Sequence, residues 1–225
     1  MKKFGIFLTV ILCISVLYAC KSPQYNKAID NLAEIRNNIY IGENESVKGI
    51  FMSGEREKEY VINGYATPLI EFGVITFSLI GTNLTHAKTG TYTIKIDDKT
   101  YNGQLELNPF DNTYVADIGV KIQTNKDIVA KITIGSFESE ITLKQRNKDW
   151  KTTSLDALKL ACKSLKKEIK NYDKEDFECE VYVKIIHDEN ISSDKYFWYV
   201  NFVGRKGINH SVIIDPNTKE ILAKK

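Results

Sequence analysis

The sequence predicts a mainly β protein that ends in a smaller α+β part. Three observations carry that reading. Between residues 46 and 148, short runs rich in β-branched and aromatic residues are parted by turn residues. From Ser154 to Lys170 apolar residues recur every three or four positions, as on one helix face. After Phe177 the period returns to two. Composition agrees with a globular chain: 225 residues, 43% hydrophobic and 27% charged. These fractions exclude a disordered, collagen-like or polytopic membrane chain. A formal charge of +2 lacks the basic footprint of a nucleic-acid binder.

The chain opens on Met1-Lys2-Lys3 and a 14-residue mostly apolar run, Phe4 to Leu17. A secretory apolar region spans about 7–15 residues and a membrane-crossing helix about 20. Leu17-Tyr18-Ala19-Cys20 follows, then the polar Lys21-Ser22-Pro23-Gln24. This resembles the lipobox of bacterial lipoproteins: an aliphatic residue, a small residue, then Cys. The resemblance implies that residues 1–19 are a signal peptide, that Cys20 receives a diacylglyceryl thioether, and that cleavage makes Cys20 the new N-terminus. The expected location is the outer side of a cell membrane, facing the extracellular or periplasmic space. The alternatives are an uncleaved anchor from Phe4 to Cys20, a 17-residue span, and soluble secretion. Cleavage removes Lys2 and Lys3 and leaves 29 positive and 29 negative side chains. So balanced a chain gives little overall attraction to anionic lipid, and two acyl chains must hold it.

Residues 20–45 read as an N-terminal tether containing a short helix. Ala28, Ile29, Leu32, Ile35 and Ile39, spaced by three and four, place that helix over Tyr25–Ile39. Residues 46–148 read as all β. The expected strands are Val47–Met52, Glu59–Asn63, Leu69–Ile80, Thr91–Ile96, Tyr101–Leu107, Thr113–Ile118, Ile128–Ile134 and Phe137–Leu143. Asn63-Gly64, Asp97-Asp98 and Gly135-Ser136 are among the turns between them. About eight short strands in ~100 residues point to a two-sheet sandwich of immunoglobulin-like architecture. Gln145–Asp149 lacks apolar residues and reads as an exposed linker between domains.

Residues 150–225 form the α+β part. Ser154 is placed to cap a helix over Leu155–Lys170. Leu155, Leu158, Cys162, Leu165 and Ile169 face inward, and Lys159, Lys163, Lys166, Lys167 and Lys170 face outward. Strands follow over Phe177–Ile185, Tyr196–Val203 and Asn209–Ile214, closing through Asp215-Pro-Asn-Thr-Lys into Glu220-Ile-Leu-Ala. On Tyr196–Val203, alternation sends Tyr196, Trp198, Val200 and Phe202 to one face and Phe197, Tyr199, Asn201 and Val203 to the other. One set should pack beneath the helix, and the other is free for a second layer or a ligand.

Trp198-Tyr199-Val200-Asn201-Phe202 and Ser211-Val-Ile-Ile-Asp215-Pro-Asn-Thr218-Lys219-Glu-Ile221-Leu resemble the aromatic strand and closing turn of the PepSY domain. Lys219 stands where that family usually has Gly. The resemblance implies one helix packed on an antiparallel meander, a peptide or exported protein as partner, or a role as inhibitor or chaperone of an exported peptidase. It brings no catalytic residues.

No catalytic or metal-binding set emerges from the residues themselves. His86, His187 and His210 form no paired-histidine motif, and no phosphate loop or nucleophile elbow is present. Asp97-Asp98 lacks the alternating acids of a calcium loop and reads as a hairpin turn. Glu55–Glu59 alternates in sign and reads as a solvated connection. No cofactor or metal is expected. Cys162 and Cys179 fall on apolar faces, too far apart along an antiparallel helix–strand pair for a ready disulfide, and are expected as buried thiols. The function expected is therefore non-enzymatic binding at a membrane surface, with Cys20 as the modified residue.

Overall fold

The computed structural model describes residues 23–59, 63–81, 87–172, 177–187, 191, 195–205 and 207–225. Cys20 and the expected signal peptide, Tyr60–Ile62 of the expected second strand, and His86 lie outside the described residues. Helix α1 (Pro23–Asp30) leads directly into strand β1 (Leu32–Glu43). Then come β2 (Val47–Glu57), β3 (Leu69–Leu79), β4 (Thr89–Ile96), β5 (Lys99–Asn108), β6 (Thr113–Asp117), β7 (Ile128–Ile134) and β8 (Phe137–Gln145). The C-terminal part comprises α2 (Ser154–Ser164), α3 (Lys166–Ile169), β9 (Cys179–His187), β10 (Tyr196–Gly204), β11 (Asn209–Ile214) and β12 (Ile221–Lys224).

The helix expected over Tyr25–Ile39 is thus half strand. Its apolar spacing has a different cause. Two register shifts interrupt β1, one between Leu32 and Glu34 and one between Arg36 and Asn38. Each extra residue lengthens the step between side chains on one face, because a bulge sets two residues against one. Leu32, Ile35, Ile39 and Ile41 therefore all join the core beneath the helices. A bulged strand imitates a helical repeat.

β1 is the hinge of the architecture rather than part of a tether. One of its edges pairs with β2 along nearly its whole length. The other is shared: residues 32–35 pair in parallel with β9, and Tyr40 and Ile41 pair antiparallel with β8. Pairings β1-β2-β3-β6-β5-β4-β7-β8 return to β1, so among the described residues eight antiparallel strands close into a ring. The two layers expected of a sandwich are hydrogen-bonded into one continuous sheet. β9 to β12 extend that sheet as an antiparallel meander. Gly42 permits the closure, since a Cβ there would land on the Thr142 carbonyl of β8.

Polar side chains line the fork in β1. Asn147 donates to the Asn37 carbonyl at 2.6 Å and accepts from the Ile39 amide at 3.3 Å. The Arg146 amide donates to the Ile39 carbonyl at 2.9 Å, and Gln145 donates to Asn38 at 3.1 Å. The Ser154 hydroxyl donates to Asn37 Oδ1 at 2.9 Å. Residues 145–147, expected as an exposed linker, are instead bonded to the strand both halves share. Where the register breaks, backbone groups lose their ladder partners, and the Asn147 side chain replaces them at the Asn37 carbonyl and the Ile39 amide.

Two apolar cores result. Tyr40, Phe51, Phe77, Ile94, Leu105 and Leu143 fill the ring. Leu158, Cys162, Leu165, Val183, Trp198 and Phe202 fill the space between helices and meander, joined by Tyr25 and Ala28 of α1. Trp198, Val200 and Phe202 point beneath the helices as alternation required, with Tyr196 packed against them. On the opposite face Val203 packs with Ala33 and Tyr182.

Details of α2 differ from expectation. Thr153, not Ser154, is the cap: its hydroxyl receives the Asp156 amide at 3.2 Å, and Asp156 receives the Thr153 amide, a complete capping box. Ser154 is thereby released to bond Asn37. Leu155 is 44% exposed and leaves the inward face to Leu158, Cys162, Leu165 and Ile169. The helix is interrupted at Leu165, whose ψ of 22° parts α2 from α3.

Candidate functional site

A cleft with an aromatic floor lies where β8 leaves the ring and the meander begins. Trp150, five residues beyond β8, stands edge-on against Trp198 with ring centroids 5.1 Å apart. Trp198 is itself fixed from below, its indole N–H donating to the Thr152 carbonyl at 2.9 Å. Tyr196 opens β10 and stacks near His187, at 5.1 Å between ring centroids. Asp215 follows β11 and receives the Asn217 and Thr218 amides at 2.8 and 2.9 Å, which shapes the opposite wall. The cleft between them encloses about 350 Å³.

Two exposed cations, Arg146 and Lys195, flank this aromatic floor, and neither has an ion pair among the described residues. Burial raises the Tyr196 hydroxyl above its ordinary pKa, with Arg146 acting in the opposite direction. Burial would also raise Asp215, but the Thr218 and Asn217 amides outweigh it and hold the carboxyl below the usual carboxylate range, with Lys195 adding to the effect. Such a cleft can seat an apolar side chain against Trp150 and Tyr196 and a carboxylate between the cations.

Other hollows lie elsewhere on the surface. One of about 160 Å³ is bounded by Tyr172, Glu178, Arg205 and His210. Its Glu178 is already engaged, accepting from the Tyr65 hydroxyl at 2.6 Å and from Arg205 at 3.2 Å. Another is a neutral hollow of amide side chains that includes Asn38, Gln123, Asn125 and Gln145. Among the described residues no three His, Cys, Asp or Glu side chains come together as a metal site.

His187 and His210 are divided between different neighbourhoods, His187 beside Tyr196 and His210 beside Tyr172. Asp97-Asp98 forms the hairpin turn between β4 and β5, with Asp97 at φ 52°. The Glu55–Glu59 segment is not simply a solvated connection: it runs along β2 as far as Glu57, which is 6% exposed and receives the Thr67 amide. Cys162 and Cys179 are free and buried. Burial pushes the Cys162 thiol up to about 12 and raises Cys179 as well, with Glu180 adding to the latter.

Two buried acidic groups escaped sequence reading. Glu180 is fully buried, receiving the Asn63 and Gly64 amides at 2.7 and 2.9 Å and the Tyr182 hydroxyl at 2.6 Å. It latches the β2–β3 connection onto the meander. Glu34 bridges Arg36 and Lys184, the latter at 2.6 Å. Burial alone would raise its carboxyl, but the two cations outweigh that and hold it below the usual carboxylate range. Neither group belongs to a local motif; Glu180 bonds residues more than 100 positions away. Comparison with protein families, curated proteins and solved structures finds no match.

Proposed function

We propose that this protein is a lipoprotein anchored in a bacterial membrane through Cys20, and that its body binds a peptide or another exported protein without catalysing a reaction. The observation that carries the proposal is Leu17-Tyr-Ala-Cys20 after a 14-residue apolar run too short to span. The Trp150–Tyr196 cleft, with Arg146 and Lys195 on its rim, is the proposed docking place for a partner carrying an apolar and an acidic group. The strands of residues 46–148 serve as spacer or adhesion module; their antiparallel pairing around one apolar core is the support for an immunoglobulin-like comparison.

A second reading, inhibitor or chaperone of an exported peptidase, rests on the PepSY-like character of residues 150–225. Helix followed by antiparallel meander supports it. So does Lys219, whose φ of 65° is the left-handed conformation that the family's Gly adopts freely. Co-purification with a peptidase that loses activity in the complex distinguishes this reading from the first.

The anchor is tested by Cys20→Ala in the native host. The variant is expected to move from the membrane fraction to a soluble or uncleaved form. Unchanged membrane residence of a processed variant overturns the anchor.

A further inference from the structure

The chain's charge is balanced overall but not evenly placed. Lys159, Lys163, Lys166, Lys167 and Lys170 are all exposed. Lys159 and Lys163 stand one turn apart on α2, and Lys166 and Lys167 of α3 and Lys170 just after it follow the break at Leu165, all pointing away from the core that Leu158, Cys162 and Leu165 enter. None of the five has an ion pair among the described residues. The acids of the same helices are already engaged: Glu168 pairs with Lys224 at 3.0 Å, and Asp156 is held in the Thr153 capping box near Lys219 and Lys159. Among the described residues, the outer face of α2 and α3 is therefore a field of positive charge in which Lys159 stands near an acid, Asp156.

The position of the anchor gives this field an orientation. Pro23 of α1 lies three residues after Cys20 in the sequence, a reach of about 10 Å at full extension. α1 also lies in the same layer as α2: Tyr25 and Ala28 share the core of Leu158 and Cys162. Tyr25 feels the charge of Asp156. Lipid at Cys20 would thus hold the helical layer, not the far end of the ring, against the bilayer.

Resting on the lipoprotein reading above, we propose that the lysine face of α2 and α3 lies on the membrane and binds the headgroups of anionic phospholipid. Lysines near an anionic bilayer each contribute about fivefold in partitioning, and clusters of about four to eight define anionic-lipid surfaces. A pair of acyl chains supplies retention, and the lysine face fixes how the body sits. The Trp150–Tyr196 cleft then keeps a constant orientation relative to the bilayer.

The test uses the mature chain from Cys20 to Lys225, coupled through the Cys20 thiol to a maleimide lipid; Cys162 and Cys179 are buried and protonated, so the reagent selects Cys20. Vesicles are equimolar phosphatidylglycerol and phosphatidylcholine, or phosphatidylcholine alone. Acetylation of each lysine is followed by peptide mass spectrometry. On the anionic vesicles the five helix lysines are expected to react at least about fivefold more slowly than Lys95, Lys131 and Lys144 of the ring. Protection is expected to vanish on phosphatidylcholine, and in about 1 M salt, where screening falls to about 3 Å.

A variant carrying K159Q, K163Q, K167Q and K170Q, exposed positions that leave the core intact, is expected to partition at least about tenfold more weakly in uncoupled form. Equal acetylation on both vesicles, protection of the ring lysines instead, or unchanged partitioning of the variant overturns the proposal. Because the coupling is chemical, these outcomes are independent of whether the host modifies Cys20. An unmodified Cys20 in the host removes the lipoprotein reading and leaves the vesicle result as it stands.

Discussion

Glu34 shows how a single side chain can matter without being legible in sequence. It stands beside Arg36 on its own strand, and that pair alone reads as a surface couple. The third member, Lys184, arrives through the parallel pairing of β1 with β9. Because the folded carboxyl is held below its unfolded value, the associated stability is fully present above about pH 4.5. It is lost as pH falls through the lower folded value. Glu34→Gln is expected to destabilise by about 1–3 kcal/mol at pH 7. The cost falls short of that for a wholly buried pair because Arg36 and Lys184 remain 28% and 23% exposed. Urea melts should show the gap between wild type and variant closing below pH 4. A gap that persists or widens in acid contradicts the assignment. The cysteines, by contrast, were legible: their apolar neighbours at helical and strand spacing announced buried thiols, and both are free.

At the scale of elements, regular patterns were readable and interrupted ones were not. β4 and β7 lie close to their expected bounds because alternation marks a half-buried strand, and β10 does so as an aromatic and β-branched run buried on both faces. β1 was mistaken for helix because two bulges stretched its spacing, and no local signal separates those cases. Its partners, β8 and β9, lie about a hundred residues or more downstream. The inward face of α2 and α3 was correct at Leu158, Cys162, Leu165 and Ile169, and wrong at Leu155, at the end of the stripe. Leu165→Ala is expected to cost about 2–5 kcal/mol, since Leu165 is fully buried at the join of the two helices. Lys166→Ala, one residue on and exposed, should change stability by less than about 0.5 kcal/mol. Denaturant melts of the two variants decide this, and similar effects would mean the buried face is misplaced.

For the whole molecule, the sequence showed two textures but not the strand that joins them. Residues 150–225 read as a separate α+β part, with a helix and a meander of their own. The structure adds Tyr25, Ala28, Ile35, Ile39 and Ile41 to their core and places β1 along β9. A fragment of 151–225 is therefore expected to show poor amide dispersion by NMR, whereas 23–225 melts in one transition. A well-dispersed fragment spectrum would show that β1 is dispensable to the C-terminal core. The candidate cleft was legible only in part: Tyr196 and Phe197 stood out as aromatic, while Arg146 and Trp150 were assigned to a linker and a boundary.

The proposed anchor at Cys20 is the claim on which the proposed orientation of the helices rests. The most direct measurement is intact and peptide mass spectrometry of the protein purified from the membranes of its native host. The account predicts a chain that begins at Cys20 and carries the added mass of a diacylglyceryl group on that residue. A chain that retains Met1, or one that begins near residue 20 with an unmodified thiol, would contradict it.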